Sequence, residues 1–181
     1  FYIGEDVGEA EGVFKQTQGL FEEFGDQRVI DTPISEAGFV GVGVGAAFAG
    51  MRPVVEIMFG DFLTLIMDQL VNHAAKMNYL SLGGFQVSMV LRTAVGVGGV
   101  LGSTHSQTYW SWPANVPGLK VVAPSTSADA KGLMTAAIRD NSPVLFFEAR
   151  MLYNKQGDVP EGDHVVAIGK GHIQKLRAIE S

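Results

Sequence analysis

Pro53-Val54-Val55-Glu56-Ile57-Met58-Phe59-Gly60-Asp61-Phe62 is a short apolar, β-branched run that ends on a glycine turn, the signature of a buried strand leading into a ligand-side loop. Upstream, Glu36 to Ala49 has a helical period and stops at Gly50, just before Arg52-Pro53. Downstream, Phe62 to Tyr79 reads as a long helix, closed by Gly83-Gly84, and Gln86 to Arg92 reads as the next strand. Working outward, Gly12 to Phe24 and Ser127 to Arg139 are further helices, while Arg28 to Ile30, Leu119 to Val122 and Val144 to Phe147 are further strands. Strands alternating with helices predict an α/β fold, a parallel sheet flanked by helices. Ser125, Thr126 and Ser127 are available to cap the last helix, with Asp129 in its first turn, where a carboxylate suits the helix dipole. After Tyr153 the pattern gives way to the polar segment Asn154 to His164, which reads as the start of a linker.

The 181 residues fit one domain. The net charge of −6 and the absence of any Lys/Arg run exclude a nucleic-acid surface or an anionic membrane surface, both of which need a basic stripe. The uncharged stretch Gly38 to Met51 is too short to span a bilayer, which takes about 20 residues. With no cysteine there is no disulfide scaffold, thiolate metal site or Cys nucleophile. The first residue is Phe1 rather than Met, so a targeting peptide is not judged from this sequence.

Four features could carry chemistry. Glu36 opens a helix that is otherwise small and apolar, Ala37-Gly38-Phe39-Val40-Gly41-Val42-Gly43-Val44-Gly45. It reads either as part of a capping box after Ser35 or as a carboxyl whose neighbours desolvate it, which raises its proton affinity. Glycines 41, 43 and 45 permit close helix packing and lack the third glycine of a dinucleotide fingerprint. Phe59-Gly60-Asp61-Phe62 places aromatics at the carboxyl end of a strand, either as core or as a platform for a flat ligand. Gly96 to Gly102 is a glycine-rich loop running into Ser103-Thr104-His105-Ser106-Gln107; it lacks the Lys of a phosphate-binding P-loop, and His105 stands open between a structural and a site role. Tyr109-Trp110-Ser111-Trp112 suits an interface more than a substrate pocket.

Several segments occur in one order: Thr32-Pro33-Ile34-Ser35-Glu36-Ala37-Gly38-Phe39, the 53–62 run, Asp68-Gln69, Thr104-His105-Ser106-Gln107, Pro117-Gly118-Leu119-Lys120-Val121-Val122 and Ala136-Ala137-Ile138-Arg139-Asp140. From Gly4-Glu5-Asp6-Val7-Gly8 to Leu152-Tyr153 the chain resembles the β subunit of the thiamine-diphosphate-dependent E1 component of 2-oxo acid dehydrogenases, of the acetoin and pyruvate dehydrogenase type. The resemblance implies a pyrimidine-binding domain over 1–153 without the family's first strand and helix. It reads 154–181 as a linker towards a transketolase-like C-terminal domain that this sequence does not contain.

By that resemblance, Glu36 hydrogen-bonds N1′ of the cofactor's aminopyrimidine and favours the imino tautomer that deprotonates the thiazolium C2. Phe62 stacks on the pyrimidine, and His105 faces the thiazolium and substrate and assists acyl transfer to a lipoyl arm. Some relatives hold potassium at positions matching Met89, Ala137, Ile138, Asp140 and Ser142. The partners implied are an E1 α subunit, in an α2β2 assembly, and a lipoyl-bearing E2; the compartment implied is the cytoplasm, or the mitochondrial matrix in a eukaryote. Gly25-Asp26, Gly60-Asp61, Gly157-Asp158 and Gly162-Asp163 all lack the next Gly of the Gly-Asp-Gly motif that anchors magnesium diphosphate, so the α subunit must supply it.

Two positions depart from the family: Ser103-Thr104 replace its common Ala-Gln before His-Ser-Gln, a step towards transketolase-like enzymes, and Asn115 stands where a histidine is common. The alternatives are a fragment of a transketolase or deoxyxylulose-phosphate synthase-like enzyme, and a non-catalytic oligomerisation module.

Overall fold

The structure, a computed structural model, describes residues 1–97 and 101–171; Gly98, Gly99 and Val100 of the glycine-rich stretch lie outside the described residues, as does the end of the expected linker. The strands are β1 (Tyr2–Gly4), β2 (Val29–Asp31), β3 (Val54–Phe59), β4 (Val90–Val95), β5 (Lys120–Val122) and β6 (Val144–Ala149). The α-helices are α1 (Leu20–Phe24), α2 (Glu36–Phe48), α3 (Met77–Leu80), α4 (Ser111–Ala114) and α5 (Ser127–Arg139). All strand pairs are parallel, in the order β2-β1-β3-β4-β6-β5. The expected parallel α/β sheet is therefore present. All six strands present their carboxyl ends at one edge, where loops meet.

Alternation along β6 builds two cores. Leu145 and Phe147 face α2 and pack with Phe39, Val40, Val44, Val55, Ile57 and Leu91, whereas Val144 and Phe146 face α5 and pack with Val122 and Ala137. A sheet buried on both faces needs apolar residues at consecutive positions, which is what makes these strands legible as runs. Gly43 lets α2 lie close on β3, since a Cβ there would sit 2.5 Å from Val55 Cγ2. Gly41 and Gly45 face no such contact. Helix α5 matches its expected bounds, and its cap is Thr126, whose hydroxyl accepts from Asp129 N at 3.0 Å.

Three sequence expectations are corrected. Residues 12–19 are turns, and only Leu20–Phe24 is helical, because Gly12 and Gly19 adopt φ of 78° and 81° and Lys15 adopts 59°, values outside the right-handed helix. The long helix over 62–79 is instead a 3₁₀ segment (Gly60–Leu65), a π-helical turn (Gln69–Ala74) and α3. The strand expected at 86–92 begins only at Val90; buried Val87 and Met89 lead into it outside the ladder. The strand β1 had no signal of its own.

The segment from 154 to 171 lies across α5 rather than away from it. Val166 N donates to Gly132 O at 3.1 Å, Lys131 Nζ to Pro160 O at 2.6 Å, and Arg139 pairs with Asp163 at 2.9 Å. Among the described residues no helix is long and apolar enough to cross a membrane.

Candidate active site

Four neighbouring strands deliver the three expected site residues, and Glu5 beside them, to one edge. Glu5 follows β1, Glu36 follows β2, Phe62 follows β3 and His105 follows β4, and these strands are adjacent in the sheet. Glu36 is the first residue of α2 and only 8% exposed. No capping box forms there: Ser35 Oγ donates to Pro33 O and caps no helix N–H. Among the described residues no side chain or backbone group is hydrogen-bonded to the Glu36 carboxylate. Glu36 is nearly buried as a residue, yet its carboxylate oxygens are not sealed off, so they stand open to a ligand.

Glu5, equally buried at 8%, is the site residue that the sequence reading missed. Its Oε1 is buried without a partner. Burial, then the charge of Glu36, pushes its carboxyl above the usual range, against a hydrogen bond from the Ser35 backbone. A carboxyl whose ionisation is discouraged by burial and by a neighbouring acid keeps its proton more readily than a free one. The signal was present in Gly4-Glu5-Asp6-Val7-Gly8, but nothing local said that Glu5 would face Glu36.

The raised Glu5 carboxyl gives a stability prediction. The folded chain keeps a proton there that the unfolded chain has released, so this group's contribution falls as pH rises from the unfolded value through the raised folded one. Glu5→Gln is therefore expected to raise the melting temperature by a few degrees in neutral buffer, with the gain shrinking in mildly acidic buffer. A gain that is absent or independent of pH counts against the coupling.

Phe62 is half-buried and stands edge-on to Phe59 (5.7 Å) and His105 (5.4 Å), and Phe59 itself stands 4.8 Å from the His105 ring. Phe59 belongs to the core and Phe62 is the ring left partly open. Buried Asp61 ties the end of β3 to the loop after β4: its Oδ1 accepts from Gln107 N at 3.2 Å and from Gln107 Nε2 at 2.8 Å. The hydroxyl of Tyr109 donates to Gln107 Oε1, and the Tyr109 ring stacks on Trp112 at 4.3 Å. Trp110 and Trp112 are exposed.

Two larger cavities lie elsewhere. One of 660 Å³ is lined by Tyr79, Pro117 and Pro143 at the opposite edge, and one of 580 Å³ by Gln16, Arg92 and Tyr153. Glu36, Phe62 and His105 line neither of them.

The expected potassium set is disposed differently from a bare-cation site. Arg52 Nη1 donates to Ile138 O at 3.0 Å and to Asp140 O at 2.8 Å. Lys120 Nζ takes Asp140 Oδ2 at 2.6 Å, Ser142 N takes Asp140 Oδ1 at 2.8 Å, and Met89 O accepts from Val144 N at 3.0 Å. A guanidinium and an ammonium are thus seated on Ile138 O, Asp140 O and Asp140 Oδ2 of this set, and the two side-chain cations brace the corner. Among the described residues no cluster of three or more His, Asp or Glu could hold a metal.

The aminopyrimidine of thiamine diphosphate fits what is present: an acid without a donor, a second acid with an orphaned oxygen, and a half-open aromatic.

Known proteins are similar to this chain over most of its length. The transketolase pyrimidine-binding domain family matches residues 1–156. The chain is 49% identical over 176 residues to the pyruvate dehydrogenase E1 component subunit beta of Rhizobium meliloti (strain 1021), covering 97% of this chain and 38% of the relative. It is 49% identical over 177 residues to the 2-oxoisovalerate dehydrogenase subunit beta of Bacillus subtilis (strain 168), covering 97% and 54%. It is 47% identical over 179 residues to the mitochondrial pyruvate dehydrogenase E1 component subunit beta-1 of Arabidopsis thaliana, covering 97% and 49%. The chain thus spans about half the length of these relatives. A solved chain described as a split gene transketolase, inactive beta4 tetramer, matches with a TM-score of 0.63 at 17% identity over 82% of this chain and 44% of that one, which supports the fold alone. With a match over 156 residues and relatives near half identity, the chain belongs to the transketolase pyrimidine-binding domain family.

Proposed function

We propose that this chain is the pyrimidine-binding half of the β subunit of a thiamine-diphosphate-dependent 2-oxo acid dehydrogenase E1 enzyme, an oxidoreductase that passes an acyl group to the lipoyl arm of an E2 partner. The observation that carries the reading is the nearly buried, donor-free carboxyl of Glu36 at the sheet's ligand edge. The E1 beta names of the relatives support it over a transketolase or deoxyxylulose-phosphate synthase-like fragment. When bound, thiamine diphosphate supplies a thiazolium carbon that adds to the 2-oxo group. Glu36 shares a proton with the aminopyrimidine N1′, Glu5 keeps that proton close by, and Phe62 gives the ring a face to stack on. His105, held against Phe59 and Phe62, serves the late reactant, the lipoyl group.

Residues 1–153 form the pyrimidine-binding domain in this reading, and 154–181 lead towards a C-terminal domain. An α subunit, in an α2β2 assembly, brings the Gly-Asp-Gly loop and its Mg²⁺. The compartment is the cytoplasm, or the mitochondrial matrix in a eukaryote, in keeping with the name of the Arabidopsis thaliana relative.

Most of the cofactor's charge is in its diphosphate, and no Gly-Asp pair of this sequence is followed by the Gly of the motif that would anchor it. Calorimetric titration with thiamine diphosphate and Mg²⁺ is therefore expected to show little or no binding to the chain alone and tight binding once an α subunit is added. Micromolar binding by a monodisperse monomer without any α chain contradicts the half-site reading. Failure to bind with the α subunit present leaves the oligomerisation module as the better account.

A further inference from the structure

Arg150 is 7% exposed and follows β6 in a short 3₁₀ turn (Arg150–Leu152). Strand β6 lies beside β4, so the side chain can reach back over the end of β4. Its Nε donates to Gly96 O at 3.0 Å and its Nη2 to His105 O at 2.6 Å, and Nη2 also donates to Gly96 O. One guanidinium thus bridges two carbonyls that lie nine residues apart in sequence, at the start of the glycine-rich loop and at its histidine. The neck is closed a second time by Gly96 N donating to Gln107 O at 3.3 Å. The guanidinium also lies 5.5 Å from the centre of the Phe59 ring, which itself touches the His105 imidazole, and 5.9 Å from that of Phe14.

We propose that Arg150 is a positioning residue: by tying Gly96 O to His105 O it fixes the loop neck and sets the His105 ring against Phe59 and Phe62. The planar, forked donor is what the task requires, because it can hold two acceptors in one plane at fixed separation, which a lysine ammonium does not. Among the described residues His105 has no comparable anchor of its own. Its imidazole Nδ1 meets the neighbouring Thr104 hydroxyl at 3.0 Å, and its backbone N–H makes a long 3.4 Å bond to Gly102 O. Nη1 of Arg150 is buried without a partner, a cost that a purely structural arginine would not need to bear. The inference rests on the role proposed above for His105.

The test uses the full-length β chain assembled with its α subunit and compares Arg150→Met, Arg150→Lys and His105→Ala. Methionine suits the apolar walls of Phe14 and Phe59, so the fold is retained. Two readouts are taken: amide hydrogen exchange over residues 101–107, and turnover with a lipoyl acceptor against turnover with an artificial acceptor that bypasses the lipoyl step. Arg150→Met is expected to speed exchange over 101–107 without altering global stability or cofactor affinity. It is also expected to lower lipoyl-dependent kcat by about ten- to a hundred-fold, the scale of a misplaced group, with a smaller loss for the artificial acceptor. Arg150→Lys should recover part of the kcat without changing KM. Unchanged exchange overturns the clamp. Faster exchange with full lipoyl turnover, while His105→Ala is impaired, also overturns it, since the neck would not then set the histidine. If His105→Ala is silent in both assays, the role of His105 fails instead, and hydrogen exchange alone decides whether Arg150 clamps the neck.

Discussion

Glu36→Gln is expected to lower turnover of the assembled enzyme by at least about 100-fold, the lower end for removing a group that handles a proton, and to leave folding intact. The substitution keeps volume and hydrogen-bonding shape and removes only the ability to exchange a proton. Its structural consequence is small or favourable, because Glu36 takes no cap bond at the start of α2 and its charge stands near that of Glu5. Taking away the Glu36 charge relieves its repulsion of Glu5. The melting temperature should therefore stay level or rise while activity collapses, an outcome that separates a site residue from a structural one. Exchange of the thiazolium C2 proton measures the effect before any substrate is involved. Retention of most of that exchange rate in Glu36→Gln would remove the assignment, and loss of folding would show instead that the carboxyl is structural.

Legibility followed burial and periodicity. Helix α5 was readable to the residue because Thr126 and Asp129 announce its start and Pro143 stands just beyond its end. Strands β3 and β6 were readable because a sheet covered on both faces writes itself as an unbroken apolar run. The stretch 12–24 misled because its helical period is a by-product of side chains recruited elsewhere. Gln16 turns to Glu56 and to the Phe14 backbone, and the Thr17 hydroxyl donates to Val7 O. The break in 62–79 has a tertiary cause as well. Gly60 must pass where a Cβ would lie 2.5 Å from Val95, Asp61 gives its carboxylate to Gln107, and the Ala75 carbonyl must leave room for Gly118. None of these partners is within a helix length in sequence. Glu36, Phe62 and His105 were found through family motifs, whereas Glu5, Asp61 and Arg150 acquire meaning only when the strand order places neighbours beside them.

Arg92→Met should be the most damaging single substitution to stability, costing about 3–5 kcal/mol, the usual consequence of removing one partner from a buried ion pair. Arg92 sits mid-sheet on β4 with its side chain 11% exposed, between Glu56 on β3 (5%) and Glu148 on β6 (11%). It holds Glu148 by two parallel bonds, Nε to Oε1 at 2.9 Å and Nη2 to Oε2 at 2.6 Å, and its Nη1 reaches Tyr2 Oη at 2.8 Å and Glu56 Oε2 at 3.1 Å. The Tyr2 hydroxyl donates to Glu56, and Tyr153 Oη donates to Glu148 Oε2 at 2.7 Å. Without the guanidinium, two buried carboxylates face each other with only phenols and Gln16 as donors. Burial already pushes the Glu56 carboxyl up even with Arg92 present. In Arg92→Met the Glu56 carboxyl, already raised by burial, loses the charge that held it down and should bind a proton in the folded state that the unfolded chain has lost, so the damage grows as pH rises. Urea denaturation in neutral and mildly acidic buffer reads this directly: a large loss at neutral pH that shrinks in acid is expected, and a small, pH-independent loss would show that the network is not what holds the strands. Replacing both carboxylates by glutamine in the same chain should restore much of the stability, because no unpaired charge is then left inside. The consequence extends to function, since β1, β3, β4 and β6 are the strands whose ends carry Glu5, Phe62, the His105 loop and Arg150. A chain that loses this network loses the common frame on which those four groups are set.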